Sequence, residues 1–327
     1  MEQITVSRNE AGQRLDKLLG KFLREAPKSF LYKMMRKKNI TLNGKKVQGN
    51  EMLAEGDEIR LFFSEETIQK FRGEAPKIAA VPKTKLAVVY EDEHIILINK
   101  PAGMLSQKAD PKDVSLVEYL TAYLLETGSI TEQELLRFHP AVCNRLDRNT
   151  SGLVIAGKSL AGLQSMSSML KERSMRKYYR CIVKGEMQGS RYLNGYLIKD
   201  QRTNKVRIVQ SKGTDPDAKP IETKYQVLAA ADGLTLLEVH LITGRSHQIR
   251  AHLASIGHPI LGDIKYGDAK WNEAYRRSHK VTHQLLHAFR LEMPQIEGTL
   301  SYLSGKTFTA PMPAIYQKLM PFAAKNE

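Results

Sequence analysis

The chain has 327 residues, 42% hydrophobic and 26% charged, enough to bury a sizeable core and to hold two domains. Fifty Lys and Arg against thirty-five Asp and Glu leave a net charge of +15, which points to a polyanionic partner, nucleic acid before any other. No apolar run approaches the roughly 18 to 20 residues of a membrane span, MEQITVSRNE lacks the hydrophobic stretch of a signal peptide, and two cysteines, Cys143 and Cys181, are too few for a disulfide framework or a zinc ribbon, so a cytoplasmic protein without membrane partners is expected.

The basic excess is concentrated at the start. Residues 1–48 hold twelve Lys or Arg and four Asp or Glu, which is +8 of the +15. Leu15, Leu18, Leu19, Phe22 and Leu23 recur at helical spacing with Arg14, Lys17, Lys21 and Arg24 largely on the other face, predicting an amphipathic helix with a basic stripe. A second short helix is expected over roughly residues 28–38, with Lys33, Arg36 and Lys37 in its second half. ITLNGKKV then alternates as strands do around an Asn-Gly turn, and Gly56-Asp57 leads into a strand from Glu58 to Phe63. This order, carried by RLDKLL, the basic second helix, ITLNGKKV and GDEIRLFF, resembles the alpha-L (S-four-type) RNA-binding domain of a small-subunit ribosomal protein. The resemblance implies a small α/β domain over residues 1–64 that grips structured RNA with its helix faces, with Arg14, Lys17, Lys33, Arg36 and Lys37 as contacts.

Residues 65–84 hold two prolines and few large apolar residues and read as a linker. From residue 85 to 327 a second domain is expected. LAVVY, IILIN, YYRCIVKG, KVRIVQ, TKYQVLAA, LTLLEVHL and TLSYLSGKTFTA read as strands; SLVEYLTAYLLET and LAGLQSMSSMLKE read as helices. Strands outnumber helices without alternating with them, which predicts an α+β fold around a mixed, largely antiparallel sheet.

The stretch NRLDRNTSGLVIAGKS offers two chemistries. Gly152 to Ser159 fits the phosphate-loop pattern G-x-x-x-x-G-K-[ST]. Its four intervening residues are Leu153, Val154, Ile155 and Ala156, however, and these build strands rather than flexible turns. No apolar run precedes the pattern, so a nucleotide cofactor is not expected. The other half sets Asp147 between Arg145 and Arg148. A carboxylate beside an apolar strand tends to protonate, and a guanidinium counters that tendency.

Arg145-Leu146-Asp147-x-x-Thr150-Ser151-Gly152-Leu153 is similar to the signature of the pseudouridine synthases of the large-subunit ribosomal type, commonly called the RluA family. Further blocks resemble the family in the same order: EDEHIILINKPAGM with Lys100-Pro101-Ala102-Gly103, the run from Arg173 to Gly185 with Met175 where the family has Val, the run Thr243-Gly244-Arg245-Ser246-His247-Gln248-Ile249-Arg250 continuing to Gly262-Asp263, and LLHAFRLEMP. Asn144 stands where many members carry His.

The resemblance implies an RNA uridine isomerase. Such an enzyme breaks the N1–ribose bond, turns the freed uracil and joins ribose C1′ to C5, with no redox change and therefore no flavin or nicotinamide. It implies Asp147 as the catalytic carboxylate, attacking C1′ or C6 or taking the ribose 2′ proton, and Arg250 as its salt-bridge partner. It further implies Tyr179 as the ring that stacks on the flipped base, Arg145 as the residue that fills the vacated space and pairs with phosphate, and Leu286 as a lid on the pocket. His279, His283 and His287 are spaced to share a helix face, but no HExxH-type motif accompanies them and no metal site is expected. Ribosomal RNA is the favoured substrate and tRNA the alternative; an RNA-binding assembly factor with little catalysis is the other class. A monomer is the default expectation.

Overall fold

The computed structural model describes residues 1–73, 81 and 85–321. The N-terminal domain is built from β1 (Glu2–Thr5), α1 (Leu15–Phe22), α2 (Lys28–Arg36), β2 (Ile40–Leu42), β3 (Lys45–Lys46), β4 (Glu58–Leu61) and α3 (Glu65–Arg72). Its sheet runs β1-β4-β2-β3, antiparallel throughout. The helical periodicity of α1 sinks Leu15, Leu18, Leu19 and Phe22 into one core with Leu31 and Met35 of α2 and Ile40 and Ile59 of the sheet. Asn43 and Gly44 both take positive φ, 51° and 73°, the backbone that a two-residue hairpin of the right twist requires.

The expected linker is helical in its first half. Ser64 caps α3 by accepting the Thr67 N–H, acids occupy the first turn and Lys70 and Arg72 the last, and Ile68 is buried in the N-terminal core while Phe71 packs on Phe30 at 4.6 Å between rings. A cap and two well-spaced apolar residues outweigh the polar composition. The remainder of the linker, apart from residues 73 and 81, lies outside the described residues.

The second domain follows with β5 (Val88–Glu91), β6 (Ile95–Lys100), α4 (Leu116–Glu126), α5 (Glu132–Leu135), β7 (Ala141–Val142), β8 (Ser151–Gly157), α6 (Leu160–Glu172), β9 (Arg176–Lys184), β10 (Ser190–Asp200), β11 (Lys205–Val209), β12 (Lys219–Ala231), β13 (Leu234–Leu241), α7 (Gln248–Ser255), α8 (Ala269–His279), β14 (Leu286–Glu292), β15 (Thr307–Thr309) and α9 (Ala314–Leu319). Its 11-stranded sheet runs β11-β10-β12-β13-β9-β14-β8-β6-β5, with β15 on β14 and β7 on β8. The pairings are antiparallel except β8 with β14, so the sheet is mixed and mostly antiparallel. Ile95 and Leu97 enter one core and Ile96 and Ile98 another, which is why IILIN is continuously apolar: both sheet faces are covered.

TLSYLSGKTFTA is a strand only at Thr307–Thr309. Gly298–Leu303 is a 3-10 turn that buries Leu300 and Leu303, a spacing of three that strand alternation cannot serve. Among the described residues no helix is long and apolar enough to cross a membrane.

Candidate active site

The loop between β7 and β8 carries Asp147, and its shape is fixed by bonds to a second loop. Ser106 Oγ donates to the Leu146 carbonyl at 2.9 Å and accepts the Leu146 N–H at 3.0 Å. Gly103 N–H donates to the Arg148 carbonyl at 2.9 Å, and Arg148 Nε returns a bond to the Gly103 carbonyl at 3.0 Å. Lys100, fully buried, gives its three ammonium protons to the carbonyls of Pro101, Met104 and Arg148 at 2.9, 2.9 and 3.1 Å. Burial pushes its pKa down to about 8, with the charge of Asp147 opposing. Asn144 replaces a missing strand partner: it accepts the Ile155 N–H at 2.8 Å and donates to the Leu153 carbonyl at 3.3 Å.

Opposite this loop, α7 presents Arg250. Its Nη1 donates to Asp147 Oδ2 at 2.7 Å, while Nε and Nη2 hold both oxygens of Asp263 at 2.6 and 2.9 Å. The Arg250 and Asp263 side chains are 6% and 0% exposed and that of Asp147 28%, so the chain of charges is dry at one end and open at the other. Burial alone would raise the Asp263 carboxyl, but the Arg250 guanidinium and the N–H groups of Lys265 and Tyr266 outweigh it and hold the pKa below the usual value. Burial likewise opposes the charge on Arg250, and the two carboxylates more than reverse it, so its pKa is raised.

His247 enters from the N-cap of α7 in a left-handed conformation, φ 55°, with Nε2 3.9 Å from Asp147 Oδ2. Tyr266 accepts the Val206 N–H at 2.9 Å, and its hydroxyl is hydrogen-bonded to His247 Nδ1, also at 2.9 Å. Burial, with Arg250 and Lys265 assisting, lowers the His247 pKa against the pull of Asp147 and Asp263. In the tautomer whose Nδ1 accepts the Tyr266 hydroxyl proton, the ring N–H is on Nε2, the nitrogen nearer Asp147.

Asp147, His247 and Arg250 line one open cleft of about 970 Å³, and the structure brings Arg145, Tyr179 and Leu286 into the same wall. Arg145 is exposed. Tyr179 is 7% exposed on β9, and burial, then the charge of Asp147, raises its phenol pKa. Leu286 opens β14 opposite Cys181 and is 5% exposed. Arg14, Lys17, Lys33, Arg36 and Lys37 are all exposed on the N-terminal domain, and none lines the cleft. Arg14 is engaged with Asp16 at 2.9 Å. The phosphate-loop pattern is a strand: Leu153 to Ala156 are buried in β8, Lys158 pairs with Glu91 at 2.5 Å, and Ser159 is fully buried as the cap of α6. His279 ends α8 whereas His287 lies on β14, so the three histidines share no helix, and no cluster suited to a metal occurs among the described residues.

A model of the RNA pseudouridylate synthase family matches residues 94–255, which contain Asp147, Tyr179 and Arg250. The protein named ribosomal large subunit pseudouridine synthase C of Vibrio vulnificus is 33% identical over 289 residues, 87% of this chain and 86% of its own length. The chain belongs to the RNA pseudouridylate synthase family. It is an isomerase of uridine in RNA. The protein of the same name in Escherichia coli K12 is 31% identical over 88% of this chain and 87% of its own. The solved human structure named RNA Pseudouridylate Synthase Domain Containing 4 shares the synthase fold, with a TM-score of 0.57 at 20% identity over 72% of this chain and 92% of that one.

In this synthase, sequence reasoning left Lys100, Asp263 and the His247–Tyr266 pair without a role. Each stood inside or beside a quoted block, and the signal was available in part: a lysine closing an apolar strand and an aspartate following a Gly-His-Pro turn are costly residues to bury without a partner. Their partners are 48, 13 and 19 residues away, beyond what local pattern reveals.

Proposed function

We propose that this chain isomerises specific uridines of large-subunit ribosomal RNA, with Asp147 as the catalytic carboxylate. The observation that carries the reading is the Asp147–Arg250 contact of 2.7 Å inside a cleft. Attack on C1′, attack on C6 and removal of the 2′ proton share one requirement, an ionised carboxylate with little water around it. Arg250 is the counter-charge for such a group, and Asp263 keeps that guanidinium from turning away. A uridine stacked in folded RNA reaches Asp147 only by leaving its helix, at a cost of a few kcal/mol. In this reading Arg145 takes the vacated space and a phosphate, Tyr179 stacks on the everted uracil, and Leu286 closes over it. Lys17, Lys33, Arg36 and Lys37, with Arg14 beside them, bind a second stretch of RNA. One chain holds every residue the scheme needs, in keeping with a monomer acting in the cytoplasm. The names of the bacterial relatives favour ribosomal RNA over tRNA.

The test is transcriptome-wide mapping of pseudouridine in cells with the wild-type protein, without it, and with Asp147→Asn. Ribosomal sites lost in both defective strains are expected. Sites that persist with Asp147→Asn refute the carboxylate's role, and losses confined to tRNA reassign the substrate. An Asp147→Asn protein should still bind the RNA within a few fold, and wild-type protein should trap RNA containing 5-fluorouridine, which a purely assembling factor would not.

A further inference from the structure

The chemistry described so far gives Lys177 no task. It stands on β9 two residues before Tyr179, so both side chains leave the same face of the strand. The backbone there is fixed on both sides: Lys177 lies opposite Leu291 of β14, and the next residue, Tyr178, lies opposite His240 of β13. The side chain is half-buried and lines the cleft. Its Nζ is 3.6 Å from the place a Cβ on Gly244 would take, beneath the turn that leads into α7.

The other buried cations of the site are fully engaged, Lys100 by three carbonyls and Arg250 by two carboxylates. The Lys177 side chain makes no hydrogen bond and no ion pair among the described residues. Its charged neighbour is a like charge, Arg173, which caps α6 in the left-handed conformation and is itself exposed. Burial first, and Arg173 second, lower the Lys177 pKa. Lys177 and Asp147 line the same cleft. Two neighbouring cations on a cleft wall, with no counter-charge among the described residues, form a site that an anion completes. In RNA the anion next to an everted base is its own phosphodiester.

We propose that Lys177, with Arg173 beside it, is a phosphodiester subsite for the everted nucleotide, separate from the contact assigned to Arg145. The proposal rests on the uridine-isomerase reading above and adds to it the group that holds the nucleotide in the cleft once it has left its stack.

The experiment uses the full chain and large-subunit ribosomal RNA in single-turnover pseudouridine formation. Lys177→Met is expected to raise the half-saturating RNA concentration about tenfold, to leave the maximal rate within about threefold, and to lower the salt dependence of binding by about one ion. Lys177→Arg keeps the charge and is expected to recover most of the loss. A methylphosphonate placed in turn at each phosphate flanking the target uridine should weaken the wild type at one position and weaken Lys177→Met no further there. A loss of maximal rate at unchanged half-saturation overturns the subsite, as does a methylphosphonate penalty that Lys177→Met retains in full. Wild-type protein that forms no pseudouridine in this RNA refutes the isomerase reading instead. The subsite is then judged by acetylation footprinting with oligouridylate, where absence of protection at Lys177 overturns it and protection sustains it.

Discussion

Arg250 turns two donors to Asp263 and a third to Asp147, so the aim of the third depends on the other two. On the proposed reading Asp263 touches no reacting atom and acts as a positioning residue through Arg250. Asp263→Asn keeps the shape, removes the charge and leaves a buried guanidinium with one carboxylate. Its expected cost is on the order of 3 kcal/mol in unfolding free energy, read from a urea midpoint. The maximal rate of isomerisation should fall by about 10- to 100-fold while the half-saturating RNA concentration changes little. A stability loss with an unchanged maximal rate would show that Asp263 supports the fold alone. Asp147, Tyr179 and Arg250, which the structure places along one cleft, could be singled out in the sequence because each lies in a short block whose residue types are informative together. Lys100 was not, because its value lies in bonds to main-chain carbonyls, one of them 48 residues on, and a carbonyl leaves no mark on a sequence.

Glycine and asparagine illustrate how the same letters serve different elements. Asn43-Gly44 turns a hairpin, as its dipeptide suggests, whereas Asn194-Gly195 lies inside β10 and made that strand illegible. Gly195 has φ 153°, a backbone that residues with side chains rarely adopt, and its pairing with Ile221 of β12 keeps the strand continuous. Helix α7 was hidden for the opposite reason: Gln248 to Leu253 are all buried, so no polar stripe marks a helical period. Gly152, one of the two glycines of the phosphate-loop pattern, has φ 110°, and a Cβ there would stand 2.3 Å from the Ala288 carbonyl. Its lack of a side chain lets β8 pair in parallel with β14, and that pairing sets Leu286 against the loop of Asp147. Gly152→Ala is expected to lower stability by roughly 3 kcal/mol or more, seen as a fall in thermal midpoint, and to reduce isomerisation with it. An alanine variant with wild-type melting and rate would refute this account of the glycine.

At the scale of the whole molecule, charge and chemistry are divided between the two domains. The first 48 residues carry +8 of the +15, and the cleft lies in the second domain. Replacing Lys33, Arg36 and Lys37 together by alanine, on the exposed part of α2 and its end, should weaken RNA binding and flatten its salt dependence by up to about two or three ions. The maximal rate should stay within a few fold, because none of the three lines the cleft. An unchanged salt slope would remove the N-terminal domain from the RNA-binding surface. Two domains were expected from the basic excess of residues 1–48 and the change of pattern from Leu86, but the fastening between them left no mark in the sequence. Glu10, with no exposed surface, pairs with Arg137 of the second domain at 2.8 Å, and the Asn9 carbonyl accepts the Leu160 N–H at 3.3 Å. Arg8 and Glu93 add an exposed pair.

On the proposed reading, in which α1 and α2 bind a second stretch of RNA and Asp147 acts on the target uridine, that fastening makes the protein a calliper. With α1 and α2 held at a set remove from Asp147, a transcript is clasped by both jaws only when its target uridine and a second backbone segment lie that far apart. The same short sequence at another spacing meets one jaw, gains nothing from tethering and diffuses off before its base is turned. Choice among thousands of uridines can thus be made by measuring a distance, with no side chain required to read a neighbouring letter.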